Sequence, residues 1–125
     1  MLKKSILVSV LVLGATPAFA DISSCYEPLP PAAVDGNTAT EKQMKSAMSD
    51  VNDFIKASDD YQNCMNSEFI AMQKKAKESK DKTPLDPSIA PSVQAKIDQN
   101  QKLKERIGAE FNASVNAYKA KHPPK

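Results

Sequence analysis

The residues of this chain that could do chemistry are two cysteines, one histidine and a group of methionines. Cys25 and Cys64 are an even pair, which in an exported chain favours a disulfide. They form no C-x-x-C motif, which argues against a redox centre. His122 lies in a tail ending in Pro-Pro-Lys, where no neighbour in sequence would orient it. Acidic cages, glycine-rich loops and zinc patterns are also missing from the sequence. We therefore predict no enzyme activity, no cofactor and no metal site.

The methionines allow three interpretations, because thioether side chains are soft and adaptable. They could fill a core, or form an adaptable surface for unfolded clients, as in a chaperone. Met44-x-x-x-Met48 could also hold Cu(I), since residues four apart share a helix face. We favour core filling. If the surface binds clients, its binding stripe comprises Met44, Met48, Phe54, Met65, Phe69 and Met72.

The N-terminus has the three parts of an export signal. Two lysines precede an apolar stretch at 5–13, and Ala18-Phe19-Ala20 supplies the small residues that signal peptidase requires. We predict a cleavable signal peptide over 1–20, cut between Ala20 and Asp21. The apolar stretch is shorter than the roughly 20 residues that cross a bilayer, which disfavours a retained membrane anchor. The mature protein is then periplasmic or secreted. Lipidation of Cys25, after a loose lipobox, stays an alternative to the disulfide.

Removal of the signal changes the charge of the chain. The full sequence has 17 basic and 15 acidic residues, and the loss of Lys3 and Lys4 leaves 15 of each. A neutral mature chain has no electrostatic reason to bind nucleic acid. We predict no nucleic-acid partner and no integral membrane segment after cleavage.

The elements that must position these residues are two helices. Thr38 and Glu41 match a capping box, and neither proline nor glycine interrupts the following 42 residues. Apolar residues there recur at steps of three and four, which predicts a helix over 38–80. Ser58-Asp59-Asp60 could break it, but the apolar periodicity resumes in phase at Tyr61, so we predict one continuous helix.

The remaining segments complete an all-α fold. Prolines favour an extended strap over 21–37 and a linker over 81–90, and a second apolar periodicity predicts a helix over 91–121 before a frayed tail at 122–125. Asn100 interrupts this second apolar periodicity. It is either solvated or fixes register when the chain associates with itself, as buried Asn does in coiled coils. We predict a long antiparallel two-helix hairpin.

Chain lengths place the strap beside the first helix. Cys25 lies 13 residues before Thr38, and Cys64 lies 26 residues after it. Extended chain covers about 43–47 Å over the first interval, and helix covers about 39 Å over the second. The Pro-rich strap can therefore run back along the first helix, with Tyr26, Leu29 and Val34 as its apolar contacts. A disulfide closing this loop contributes roughly 3–4 kcal/mol.

Three sequence motifs carry a resemblance. Pro31-Ala32-Ala33-Val34-Asp35-Gly36-Asn37-Thr38-Ala39-Thr40, Phe54-Ile55 and Tyr61-Gln62-Asn63-Cys64 resemble a group of small exported bacterial proteins of unknown function. The group has a Pro-rich lead, Asp-Gly-x-x-Ala-Thr and Tyr-x-x-Cys before and within a long helix. The resemblance covers about residues 25–70. It implies a bacterial periplasmic protein, but brings no activity and no functional residues. The second helix is similar in style to helical-hairpin periplasmic chaperones, which is a likeness of architecture alone.

These features together predict a non-catalytic exported protein with a structural or protein-binding role in the cell envelope. The partner would be another envelope protein or a second copy of the chain. The alternatives are a chaperone-like binder that uses the binding stripe, and a periplasmic copper or other metal binder.

Overall fold

The computed structural model describes residues 24–125, which form two long α-helices that pack together. The first, α1, spans Glu41–Glu78, and the second, α2, spans Ile89–Lys121. No strand occurs between residues 24 and 125, so the predicted all-α class is confirmed. Neither helix is long and apolar enough to cross a membrane. The predicted signal peptide, including its cleavage site at Ala20 and Asp21, lies outside the described residues.

The N-terminus of α1 shows that the predicted capping box was wrong. Thr40, not Thr38, is the N-cap. Its Oγ1 accepts the backbone N–H of Gln43, while Gln43 Oε1 accepts the backbone N–H of Thr40. The box is thus Thr40-x-x-Gln43, and Glu41 is the first helical residue rather than the reciprocal partner.

The shift arises from a turn centred on Asp35. Its backbone carbonyl accepts the N–H groups of Thr38 and Ala39, and its carboxylate accepts the N–H of Asn37. Thr38 is therefore held inside this turn and cannot begin the helix. An aspartate that bonds to the backbone two residues on is typical turn chemistry.

α1 is unbroken through the polar run at 58–60, as predicted. Phe54 and Tyr61 are both buried on either side of that run. Packing on both sides therefore outweighs the preference of serine and aspartate for helix ends.

The connection between the helices covers 79–88 rather than 81–90. Ser88 is the N-cap of α2, but its side chain makes no cap bond and donates instead to the Asp86 carboxylate. α2 begins at Ile89, two residues before the predicted start. Pro91 lies in the first turn, where a missing N–H costs nothing because no helical carbonyl is available to it.

Two apolar clusters join the helices. Val51 and Phe54 pack against Ile107, and Tyr61 and Met65 pack against Val93. Residues later in α1 therefore pack against residues earlier in α2. Further apolar residues surround these clusters in partly buried positions, namely Ile55, Leu103 and Phe111 in the first, and Cys25, Phe69, Ile89 and Ile97 in the second.

The predicted disulfide between Cys25 and Cys64 is confirmed. Cys25 packs against the cluster of Tyr61, Met65 and Val93, so the bond brings the N-terminal segment onto the core. The sulfur of Cys25 is taken up in this bond, which leaves none for the lipidation considered above.

The segment also contacts the helices at its far end. Ser114 Oγ donates to the carbonyl of Val34 at 2.6 Å. Gly36 is buried, and a Cβ built on it would lie 2.7 Å from the carbonyl carbon of Ser114 and 2.9 Å from the backbone nitrogen of Tyr118. Only glycine allows the two backbones to approach this closely.

Candidate functional site

The predicted binding stripe lies mainly between the helices. Met44, Phe54 and Met65 are buried, and Met65 is only 1% exposed. Phe69 and Met72 are half-buried, whereas Met48 is 50% exposed. A surface for clients would need these side chains to face solvent together. Their burial instead favours the core-filling interpretation of the methionines.

The Met44–Met48 pair is divided in the same way. Met44 is 8% exposed and Met48 is half exposed, so one thioether belongs to the interior and the other to the surface. Among residues 24–125, no group of three or more His, Cys, Asp or Glu side chains could hold a metal ion. The arrangement therefore offers no support for the copper interpretation.

His122 terminates α2. Its backbone N–H donates to the carbonyls of Tyr118 and Lys119, and its ring stacks on Tyr118 with 4.2 Å between the ring centroids. Nδ1 lies 3.0 Å from the Tyr118 carbonyl oxygen. The imidazole ring is therefore engaged in contacts with Tyr118 at the C-terminal end of α2.

A layer of polar side chains crosses the interface between the two apolar clusters. Asn100 and Ser58 are both fully buried, so the interpretation of Asn100 as solvated was wrong. The Asn100 amide donates to Ser58 Oγ at 3.4 Å, and its Oδ1 accepts from Gln62 Nε2 at 2.9 Å. Gln62 Nε2 also lies 3.2 Å from Gln101 Oε1. Every buried side-chain nitrogen and oxygen in the described part of the chain has a partner.

This polar layer favours one pairing of the helices. Sliding α2 by one turn would separate the Asn100 amide from Ser58 and leave buried polar groups unpaired, which is costly. Asp59 and Lys104 add an ion pair between the helices at the edge of the layer. The layer therefore favours one register between α1 and α2. The role of Asn100 in setting register with a second copy stays a prediction.

Gln62 is a member of this layer that the sequence did not predict. Gln62 lies four residues after Ser58, on the same helix face. In the sequence, Ser58 and Gln62 are two polar residues at helical spacing within an apolar periodicity. Their pairing with Asn100 became evident only when the fold placed Asn100 opposite them.

Shifted pKa values occur in an exposed ion pair, in two turns and in the core. The hydrogen bond between Glu41 and Lys45 lowers the pKa of the carboxyl and raises the pKa of the amine.

The pKa of Asp35 is lowered because its carboxylate accepts the backbone N–H and side-chain amide of Asn37. The pKa of Asp86 is lowered by hydrogen bonds from the backbone and side chain of Ser88. Burial raises the pKa of Tyr61. The two carboxylates shape turns, and nothing in their surroundings suggests proton transfer.

The N-terminal segment presents a regular pattern of exposure. Cys25, Pro28, Pro31 and Val34 are half-buried, whereas the residues between them are exposed. Tyr26 is 85% exposed, so its predicted role as an apolar contact was wrong.

Leu29 departs from the prediction in the same way, because it is 88% exposed. Burial along this segment repeats every three residues, and Tyr26 and Leu29 both fall at exposed positions of that repeat. Of the three predicted contacts only Val34 lies on the inward side.

Comparison of the chain with protein-family models, with curated proteins and with solved structures found no match. We therefore infer the function from the contacts and exposures of the residues themselves.

Proposed function

We propose that this is a non-catalytic exported protein with a structural or protein-binding role in the cell envelope. The observation that carries the proposal is the near-complete exposure of Tyr26 and Leu29 on a segment held to the helices. Large apolar side chains at the surface are individually common. Here the two share one side of a segment whose backbone is restrained, which makes them suited to contact a partner.

The architecture of the proposal is an antiparallel hairpin whose strap is polyproline-like over residues 25–34. The order of the helix contacts, Ile107 opposite Phe54 and Val93 opposite Met65, supports the antiparallel arrangement. Polyproline II would carry the strap about 28 Å. The 17 residues of α1 from Cys64 back to Ala47 cover about 26 Å. Val34 lies close to Ala47, as these lengths require.

Restraint at both ends makes the strap a suitable binding element. The disulfide holds Cys25, and the bond from Ser114 holds Val34. A segment that is already ordered loses less conformational entropy when a partner binds. Polyproline II also leaves its backbone carbonyls unpaired and accessible to a partner.

Export is part of the proposal, with a periplasmic or secreted location. The signal-like residues 1–20 support it, and so does the pairing of both cysteines in a disulfide, which persists in oxidising compartments. The resemblance to small exported bacterial proteins is consistent with the same location.

The burial of the binding stripe supports this proposal over the chaperone alternative. A client-binding chaperone that used Met44, Phe54 and Met65 would have to open the interface between the helices. The strap offers exposed apolar groups without any such opening.

Site-specific photo-crosslinking in cells that make the protein tests the proposal. A benzophenone amino acid is placed at Leu29, and the matched control carries it at Asn52, which is also exposed but lies on α1. We expect a discrete covalent adduct from position 29 and none from position 52. The mass of the adduct distinguishes a second copy of this chain from another envelope protein.

Two results would contradict the proposal. One is the same set of adducts from both positions, which would indicate random collision. The other is the absence of any adduct at position 29 while the protein is folded and exported.

A further inference from the structure

Five lysines gather where α1 ends. We call this group the basic tip. All five residues are exposed to solvent. Residues 74–82 hold these five lysines and two acidic residues, Glu78 and Asp81, so this end of the helix has a net charge of 5 − 2 = +3. The basic tip consists of Lys74, Lys75, Lys77, Lys80 and Lys82.

Most of this charge is not neutralised by ion pairs. Lys74 lies 3.9 Å from Glu78, and the other four lysines make no ion pair with the described residues. Asp81 and Asp86 lie nearby in sequence and reduce the net charge. The Asp86 carboxylate accepts hydrogen bonds from Ser88, which stabilise its charged form.

The helix dipole accounts for only part of the group. Lys75 and Lys77 lie in the last turn of α1, where cations complement the free carbonyls. The effect falls off within that turn. Lys80 and Lys82 lie beyond the helix, and Lys82 has a φ of 45°. Residues with a side chain rarely adopt this left-handed conformation.

A cleft of about 520 Å³ opens beside the basic tip. It lies between the last turns of α1 and the segment that follows. Ala76, Pro84 and Leu85 give it apolar walls, and Lys77 and Lys82 line it as well. No acidic side chain lines this cleft. Apolar walls beside two cations suit a ligand that joins an anionic group to a hydrocarbon part.

We propose that the basic tip docks on the surface of an anionic phospholipid bilayer. The lipid phosphates lie against Lys77 and Lys82, and Leu85 with its apolar neighbours contacts the glycerol and upper acyl region. Lysine suits this position because its long apolar stem can stay in the interface while its ammonium group reaches the phosphate. Attraction to the negative surface and burial of apolar area both strengthen such peripheral binding.

Co-sedimentation of the full protein with lipid vesicles tests the proposal. Vesicles with about one third phosphatidylglycerol are compared with vesicles of phosphatidylcholine alone, since each lysine near an anionic surface contributes about fivefold in affinity. We expect binding to the anionic vesicles only, and weaker binding as the salt concentration rises. The double variant Lys77→Gln/Lys82→Gln should bind at least about tenfold more weakly.

The matched control is Lys119→Gln/Lys121→Gln, which removes the same charge from the end of α2. We expect its affinity to stay within about twofold of the parent, because charges more than a Debye length from the surface are screened. Leu85→Ser, which removes an apolar wall without changing charge, should weaken binding several-fold.

Three outcomes would overturn the proposal. Equal losses in the two lysine variants would show general charge attraction without a docking surface. Equal binding to neutral vesicles would remove the role of the lysines. Competition by millimolar inorganic phosphate would assign the lysines to a free anion instead of a membrane. None of these results bears on the crosslink at Leu29, so the two proposals can fail separately.

Discussion

Gly36 and Gly108 are two glycines with opposite roles in this fold. A Cβ at Gly36 would overlap the backbone of Ser114, whereas a Cβ at Gly108 would meet no atom within 4 Å. Gly36→Ala must push the strap away from α2 and should cost about 1–3 kcal/mol of unfolding free energy. Gly108→Ala, in the middle of α2, should stabilise the protein by about 0.5–1 kcal/mol. Urea denaturation followed by circular dichroism measures both.

The two glycine variants control for each other, since each adds one methyl group. Destabilisation of equal size in both would mean that the close approach of Gly36 to Ser114 does not exist in solution.

Asn100 is the residue on which the polar layer depends. Asn100→Ala removes the donor to Ser58 and the acceptor for Gln62, and Ser58 then stays buried without its partner. Such an unpaired group costs about 1–3 kcal/mol. Gln101→Ala removes only a half-buried partner of Gln62 that water can replace, so its cost should stay below about 0.5 kcal/mol.

Chemical denaturation of these two variants compares the free energies of unfolding directly. Similar values for Asn100→Ala and Gln101→Ala would show that the layer is open to water, contrary to the burial of Asn100.

At the scale of elements, the disulfide decides whether the strap stays on the helices. Cys25 and Cys64 are 39 residues apart, and in the chain-entropy model a loop of that length contributes about 3–4 kcal/mol. Dithiothreitol should therefore lower the midpoint of urea unfolding. The Cys25→Ser/Cys64→Ser variant should begin at the lower midpoint and not respond to the reductant. An unchanged midpoint on reduction would mean that the strap adds nothing to stability.

The start of α1 shows how far sequence signals define an element. Thr38 with Glu41 and Thr40 with Gln43 are two overlapping capping boxes, and both satisfy the same pattern. The turn at Asp35 selects the second by using the N–H of Thr38. Periodicity therefore predicted the helix and its continuity, but the choice between neighbouring caps required the turn before it.

At the scale of the whole molecule, burial is uneven along α1. The fully buried residues of α1 lie between Met44 and Met65, and those beyond Met65 are at most half-buried. Regions with few buried apolar contacts open locally at low free energy. Amides of residues 70–78 should therefore exchange with deuterium at least about tenfold faster than those of residues 51–65.

Hydrogen–deuterium exchange with peptide-level mass spectrometry resolves these two ranges. Uniform protection along α1 would indicate a partner, such as a second copy, that covers the end near the basic tip. Dilution of the protein then separates the cases, because protection by a second copy falls with concentration.

The sequence by itself determined the features that depend on neighbouring residues in the chain or on the number of cysteines. Apolar steps of three and four specify a helix locally, and two cysteines allow only one intramolecular pair. The two helices and the bond between Cys25 and Cys64 were therefore predictable.

Only the tertiary structure decided which side chains those elements bury. Asn100 is interior because the register of α2 sets it opposite Ser58. Tyr26 is exposed, whereas its neighbour Cys25 packs against the core. Gly36 is required because α2 passes within backbone contact. Each of these observations depends on a contact between residues far apart in the chain. Local sequence patterns do not predict such contacts.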